Sequence, residues 1–347
     1  GSYDRFSNYN SGNINGVATY NLNPNLGNPF IEPERASEIE VGTDLSFLQN
    51  KLGITFTTYN KKIIGNSLLV LRNLAPSSGG TGKFENVGNL TNKGWELGIN
   101  ANPVSTKNFN WNIGFSLNIN KNLVTSSSQL TPIFLGNALG ANSFTVIAGE
   151  PVGAFFGNYF KRDAQGNIAL DAAGRPIAET VGTTTKLDTK VIGSPNPDWI
   201  SSFTNSIEYK KLSFSFLLDG AFGQDVFNAD RRTRQGVGFG DFAEKETKGE
   251  LPRGYIFSIY ATEEWRVESG SYLKLREVSL SYQLPNFAKF IKSTSISVTG
   301  RNLISWDTYD GYDPETNAGG NSAALRGIDF GNVPIPKTYQ VTLRASF

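Results

Sequence analysis

The last nine residues of the chain, 339–347, carry apolar side chains at every second position, with Gln, Thr, Arg and Ser between them. A period of two predicts a β-strand with one apolar and one polar face. Two kinds of structure use such a strand. One is a soluble sheet packed on one side, and the other is the wall of a transmembrane β-barrel, where the apolar face contacts lipid and the polar face lines the lumen. The rest of the chain distinguishes between them.

The same alternation recurs along the chain and is clearest at residues 109–120. Phe109, Trp111, Ile113 and further apolar residues fall on one face, whereas the other face consists of Asn, Gly and Ser. Such a polar face suits a water-filled lumen and such an apolar face suits lipid, so the pattern favours a barrel wall over a soluble core. We predict nine strands of this kind, at residues 37–48, 52–58, 95–101, 109–120, 203–209, 212–222, 272–284, 294–303 and 339–347.

The predicted connections alternate between short and long. The short ones are residues 49–51, 103–108, 210–211 and 285–293, and the long ones lie near 65–91, 121–197, 223–270 and 304–337. Bacterial outer-membrane barrels have short periplasmic turns and long extracellular loops, whereas a soluble sandwich or propeller has no reason to segregate loop lengths. A hairpin near residues 152–170 would raise the strand count to eleven. Because bacterial barrels use an even number of strands, we expect residues 1–347 to be the C-terminal part of one larger transmembrane antiparallel β-barrel domain.

Composition excludes several classes of function. The chain has no Cys and no His, which removes thiol and imidazole chemistry, disulfide bonds and structural zinc. No apolar run approaches the ~20 residues that a membrane-spanning helix needs. The net charge of +1 gives no electrostatic basis for binding nucleic acid. We therefore expect a protein that is not an enzyme and has no cofactor, although oxygen ligation of Ca²⁺ stays open.

Several short segments resemble one known family in their order and spacing. These segments are residues 31–42, 86–96, 193–198, 272–282, 300–303 and 311–315. Together they are similar to the SusC/RagA branch of the TonB-linked outer-membrane proteins of Bacteroidetes-type bacteria. The final Phe347 also resembles the C-terminal aromatic residue that the barrel-assembly machinery recognises in such proteins.

The resemblance implies a 22-stranded barrel in the outer membrane, with a plug in its lumen. It also implies nutrient import of oligosaccharides or oligopeptides, energised through TonB, with a SusD-like surface lipoprotein as partner. On this reading the plug and the TonB-binding segment lie upstream of this chain. Two alternatives stay open. The same barrel could be a non-transporting scaffold in an outer-membrane assembly or secretion complex, or the chain could be a soluble β-rich binding module.

One acidic run is a weak candidate for a metal site. Asp310, Asp313 and Glu315 place three carboxylates within six residues, and carboxylate oxygens are the ligands that Ca²⁺ prefers. The ligand spacing of a calcium-binding helix–loop–helix motif is absent. The alternative interpretation is a turn fixed by Gly311 and Pro314, where a strand meets a loop.

A basic run and an aromatic run are candidates for contact with substrate or partner. Arg231, Arg232 and Arg234 could bind an anionic substrate or the phosphate of lipopolysaccharide, and the alternative is a set of solvated loop charges.

Trp306, Tyr309 and Tyr312 fall on the last predicted loop, where aromatic rings could stack on sugars or close a small loop core. We further expect Tyr272 and Tyr339 to lie at the outer lipid–water interface.

Overall fold

The computed structural model describes residues 2–128, 132–134, 143–285, 291–315, 317–318, 320 and 326–346. Its main element is a nine-stranded antiparallel sheet in which each strand pairs with its neighbour in the chain. The strands are β1 (Arg35–Phe47), β2 (Leu52–Ile64), β3 (Gly88–Ser105), β4 (Phe109–Ser127), β5 (Trp199–Tyr209), β6 (Leu212–Phe222), β7 (Tyr272–Leu284), β8 (Ser293–Asp307) and β9 (Thr338–Ser346). All nine predicted strands are therefore present. The predicted assembly signal, Phe347, lies outside the described residues.

The register of the sheet separates an apolar face from a polar one. Between β4 and β5, Phe115 lies opposite Phe203, and the next residue along each strand gives the pair Ser116–Ser202. The two serine hydroxyls are hydrogen-bonded at 2.8 Å. Because side chains alternate along a strand, this register holds throughout the pair. We call the face with the phenylalanines the outer face and the face with the serines the inner face.

Short connections lie at one end of the sheet and long ones at the other. The short end, which we call the turn end, has connections at residues 48–51, 106–108, 210–211 and 285–292, and the opposite loop end has connections at 65–87, 128–198, 223–271 and 308–337. Two of the short turns use left-handed backbone, with φ of 66° at Asn50 and 54° at Lys210. Left-handed residues let the chain reverse within a few positions, and Asn tolerates this conformation well.

The described residues of the long connections, together with residues 2–34, which precede β1, form a loop assembly. It contains strands at Tyr9–Ile14, Val17–Leu22, Asn25–Leu26, Leu69–Asn73, Gly82–Asn86, Ile133–Phe134, Ser143–Val146, Ala154–Asn158, Asp225–Asn228, Thr189–Gly193, Val267–Ser269 and Ile328–Asp329. It also contains 3₁₀ turns at Ser2–Arg5, Pro76–Ser78 and Glu263–Arg266, and the helices α1 (Ala229–Gly236), α2 (Asp241–Thr247) and α3 (Tyr255–Tyr260).

The predicted hairpin near 152–170 is not part of the nine-stranded sheet. Ala154–Asn158 pairs instead with Thr189–Gly193, in a separate four-stranded sheet of the loop assembly. Only bridges of single residue pairs, such as Arg162 with Ile168, connect the segment that follows Ala154–Asn158. The long connection therefore adds no strand to the wall.

The hydrophobic cores lie at the loop end, where Leu90 of β3 and Val124 of β4 join residues of the loop assembly. One core holds Leu68, Val70, Val87, Leu90, Val124, Ile133 and Val146, and a second holds Phe155, Phe227, Ala229 and Ile328. In contrast, every residue of the edge strand β1 is exposed. Within the described residues, neither β1 nor β9 has a second partner strand, so the sheet is open at both edges. No described helix has the length and apolar content to cross a membrane.

Candidate functional site

Two strands bring charged side chains to the loop end of the inner face. Lys274, in β7, is buried, and its ammonium donates hydrogen bonds to Asp313 Oδ1 at 2.5 Å and Glu315 Oε2 at 2.9 Å. Both carboxylates belong to the last long connection. A buried ammonium needs such partners, because an uncompensated charge in the interior is strongly disfavoured. The pairs therefore fasten this connection to the wall.

A β-bulge adds a second basic residue to the same cluster. Arg276 is the extra residue of β7, since Leu217 and Leu218 of β6 face Glu277 and Leu275. Its guanidinium donates to Asp219 Oδ2 at 2.7 and 2.9 Å and to Glu315 Oε1 at 2.8 Å. We call the cluster the mouth network; its charged members are Asp219, Lys274, Arg276, Asp313 and Glu315.

The mouth network lowers the pKa of Glu315. Burial by itself would raise the pKa of Glu315, but hydrogen bonds from Arg276 and Lys274 and their charges outweigh burial and lower it. Tyr272 contributes the ring beneath the network, 4.8 Å from the Lys274 ammonium. The expectation that Tyr272 lies at the outer interface is wrong, because the residue is buried on the same face as Lys274.

The structure does not bring the three metal candidates together. Asp313 and Glu315 face Lys274 in the mouth network. Asp310 instead lies 3.8 Å from the guanidinium of Arg231. Across the part of the chain that the structure describes, no group of three or more acidic residues is arranged to hold a metal ion. The geometry is that of a turn tied down by ion pairs.

The three aromatic candidates occupy different environments. Tyr309 is buried, and its hydroxyl donates to Asp329 at 2.7 Å; burial first, and then this bond, raise the pKa of Tyr309. Trp306 lies within β8, opposite Leu273, and thus on the outer face of the wall rather than on a loop. Tyr312 is 78% exposed and borders a cavity of about 430 Å³. Tyr312 is therefore the member of this group that offers its ring from a loop.

The three arginine candidates all lie on α1, which begins after Asn228. The Asn228 side chain accepts the backbone N–H of Arg231 at 2.9 Å, as an N-cap does. The Arg231 guanidinium lies 4.5 Å from the Trp265 ring and donates to the Trp265 carbonyl at 3.0 Å, so it holds the loop assembly together. Arg234 is exposed.

Arg232 points to a cavity that the sequence did not reveal. Its guanidinium lies 4.3 Å from the Tyr260 ring. The cavity has a volume of about 550 Å³, and we call it the arginine cavity; its lining includes Asn158, Thr189, Arg232, Tyr260, Glu263 and Arg266.

Arg266 is the most unusual member of the arginine cavity. The side chain is 2% exposed, and its Nε and Nη1 have no hydrogen-bond partner among the described residues. Glu263 lies 3.8 Å away, beyond hydrogen-bond distance, and Phe227 places its ring 4.9 Å from the guanidinium. Burial lowers the pKa of Arg266 to about 10 and raises the pKa of Glu263. Sequence reasoning missed both residues, because nothing in their local sequence indicates that they meet Arg232.

Comparison with known proteins places this architecture in a family. A sequence model for "TonB dependent receptor-like, beta-barrel" matches residues 1–303. TonB-dependent receptor P26 of Formosa agariphila is 29% identical over 92% of this chain and 35% of its own length. TonB-dependent receptor SusC of Bacteroides thetaiotaomicron is 24% identical over 93% of this chain and 33% of its own length. The chain thus spans about a third of the length of these curated relatives.

A solved structure has the same fold. The RagAB peptide importer in its closed-closed state superposes with a TM-score of 0.74, at 20% identity, over 99% of this chain and 38% of the importer chain. The sheet has an apolar outer face, a polar inner face and connections of alternating length, as a transmembrane β-barrel does. The sequence match to a β-barrel family over most of the chain agrees with this architecture. The chain belongs to the family of TonB-dependent receptor-like β-barrel proteins.

Proposed function

We propose that this chain forms the C-terminal part of an outer-membrane importer that is energised through TonB and carries oligosaccharides or oligopeptides. The observation that carries the proposal is the nine-stranded meander, with an apolar outer face, a polar inner face and its four long connections at one end. In a bilayer every backbone polar group must be satisfied within the protein, and a closed barrel is the way in which strands achieve this. Family membership supports the same function.

The open edges of the sheet fit this proposal. The backbone N–H and C=O groups along the free sides of β1 and β9 need partners in lipid. In the complete barrel, further strands pair with both edges. We assign those strands, the plug in the lumen and the TonB-binding segment to the part of the relatives' length that this chain does not span.

The proposed partners are those that the likeness to the family implies, and the topology suggests the side on which each would lie. The turn end faces the periplasm, and the loop end faces outward, where a SusD-like lipoprotein covers the mouth and lipopolysaccharide surrounds the wall. During biogenesis, Phe347 serves as the signal to the barrel-assembly machinery. Structural likeness to a peptide importer supports oligopeptides as one of the two substrate classes.

The experiment measures uptake by cells that carry the full-length protein. Labelled oligosaccharide and oligopeptide pools are supplied to wild-type cells, to cells without the protein, and to cells whose protein lacks the TonB-binding segment. Import predicts accumulation in wild-type cells alone. Equal accumulation in all three strains, together with loss of assembly or secretion subunits from the membrane of cells without the protein, would instead identify a scaffold.

A further inference from the structure

The arginine cavity holds more positive charge than its own groups compensate. Within the described residues, Arg232 makes no ion pair or hydrogen bond through its side chain, and its Nε is buried without a partner. Arg266 is buried with Nε and Nη1 unpartnered. Glu263 is the acid that faces these two guanidinium groups, so one carboxylate stands against two cations. A buried charge without full compensation is expensive for folding, which calls for an anionic partner from outside the chain.

The walls of the cavity are held in a fixed arrangement. The Asn158 side chain donates to the Ala261 carbonyl at 2.8 Å and accepts the backbone N–H of Glu263 at 2.6 Å. These two bonds fix the end of α3 and the 3₁₀ turn that carries Glu263 and Arg266. The Tyr260 ring supports the face of the Arg232 guanidinium, 4.3 Å away. A guanidinium stacked on a ring keeps its N–H groups available at its edge.

We propose that the arginine cavity binds a carboxylate group of the imported ligand, which deepens the import function proposed above and rests on it. Arg232 contacts the carboxylate, because a guanidinium presents a planar fork that matches two carboxylate oxygens. Arg266 is a positioning residue that supplies positive charge from behind, since its unpartnered nitrogens are buried. The cavity, at about 550 Å³, has room for a terminal residue or a single sugar ring.

Two sources supply this chemistry: the carboxylate of an oligopeptide and the uronate of an acidic oligosaccharide. Phe257, also in the cavity lining, is 78% exposed. Its ring suits an apolar side chain and the apolar face of a sugar equally. The carboxylate is the feature that the two ligands share, and the experiment below separates them.

The experiment measures ligand retention by the purified full-length protein in detergent. One probe is a pool of pentapeptides, each present as the free acid and as the C-terminal amide. The other is a set of oligogalacturonates with their methyl esters. Retained molecules are quantified by mass spectrometry after ultrafiltration. We expect one acid form to be retained about 10- to 100-fold over its neutral partner, the range of a charged hydrogen-bonded contact.

Variants assign the preference to the cavity. Arg232→Gln should bring the acid-to-neutral ratio close to one, whereas Arg234→Gln, the same charge change at an exposed position of the same helix, should leave it unchanged. Arg266→Gln should lower the ratio without changing retention of the neutral form, and Arg266→Lys, which keeps the charge, should restore it. Folding of each variant is checked by its heat-dependent mobility in gels.

The outcomes separate the ligand sources and the two proposals. Retention of peptide acids identifies oligopeptides, and retention of uronates identifies acidic oligosaccharides. If neither acid form exceeds its neutral partner, or if Arg232→Gln behaves like the wild type, the carboxylate site is overturned. Binding in detergent needs neither TonB nor a membrane. An Arg232-dependent ratio without TonB-dependent uptake would therefore refute import and leave the site standing, and the reverse result would refute only the site.

Discussion

Replacing Ile113 with arginine tests whether the outer face contacts lipid. Ile113 lies in β4, opposite Asn205 of β5 and Ala101 of β3. Ile113 lies four positions after Phe109, the first residue of the strand. At a rise of ~3.3 Å per residue and a tilt of ~40°, it lies about 10 Å from the turn end, near the middle of a ~25 Å lipid band. An arginine there should reduce the free energy of unfolding by about 2–4 kcal/mol.

The matched control is Asn112→Arg, at the preceding residue on the inner face. Asn112 is exposed, and its main interaction is a 2.7 Å hydrogen bond from Asn102. Its replacement should cost no more than about 1 kcal/mol. Both variants of the full-length protein are reconstituted in lipid vesicles and titrated with denaturant, and midpoints are compared at the wild-type slope. Equal losses, or a larger loss for Asn112→Arg, would refute the assignment of the faces.

A charge at Ile113 would also destabilise a soluble sheet if that residue were packed in a core. A second measurement therefore distinguishes a barrel wall from a soluble binding module. A barrel wall requires detergent for extraction, whereas a soluble binding module enters the aqueous fraction without it. Recovery of the wild-type protein in buffer alone would therefore refute the barrel reading, even if Ile113→Arg were destabilising.

Three further changes test the loop assembly. Lys274→Met removes the ammonium that faces the buried carboxylate of Asp313, so the opening free energy of residues 308–315, measured by hydrogen exchange, should fall by about 3 kcal/mol. Lys337→Met, at an exposed position, should have no effect. Tyr309→Phe removes the bond to Asp329 and should lower the local opening free energy by about 1–3 kcal/mol in the same experiment. The pKa of Glu315 is lower in the folded protein than in the unfolded chain. Its ion pairs therefore stabilise the fold fully at a pH above the unfolded pKa of about 4.3, and this stabilisation is lost as the pH falls through the folded pKa. Glu315→Gln should abolish that acid-dependent loss, and a retained loss would contradict the ion-pair assignment.

The nine-stranded sheet was predictable from sequence because its two faces differ in polarity. Apolar side chains on one face and polar side chains on the other give every strand a period of two, and that period identifies all nine strands. The ends of the strands are harder to predict from the sequence where a strand extends into the loop assembly. β3 begins at Gly88, inside a predicted loop, because residues 88–94 are mostly polar. In the structure, Leu90 of that segment pairs with Val124 and joins a core of the loop assembly.

The wrong assignment of Tyr272 has a specific cause. Tyr282 and Tyr272 are ten residues apart in β7, and simple alternation places both rings on the outer face. The bulge at Arg276 inserts one extra residue, and a shift of one residue sends all following side chains to the opposite face. Tyr272 and Lys274 therefore point inward. The local sequence around Arg276 contains no Gly or Pro that would indicate the bulge, so it becomes visible only through the register with β6.

The basic run on α1 shows why the candidate site could not be derived from the sequence. Successive helical residues point about 100° apart, so neighbouring arginines must meet different surroundings. Arg231 meets Trp265, Arg232 meets Tyr260, and Arg234 meets solvent. Both partners come from a later part of the same connection, and the order in which that connection folds back is not encoded within the run. The charge imbalance around Arg266 departs from the complete pairing seen in the mouth network. Incomplete pairing of buried charges is expected where a bound ligand supplies the missing partner. The arginine cavity is therefore a better candidate for substrate recognition than the mouth network, whose charges are paired.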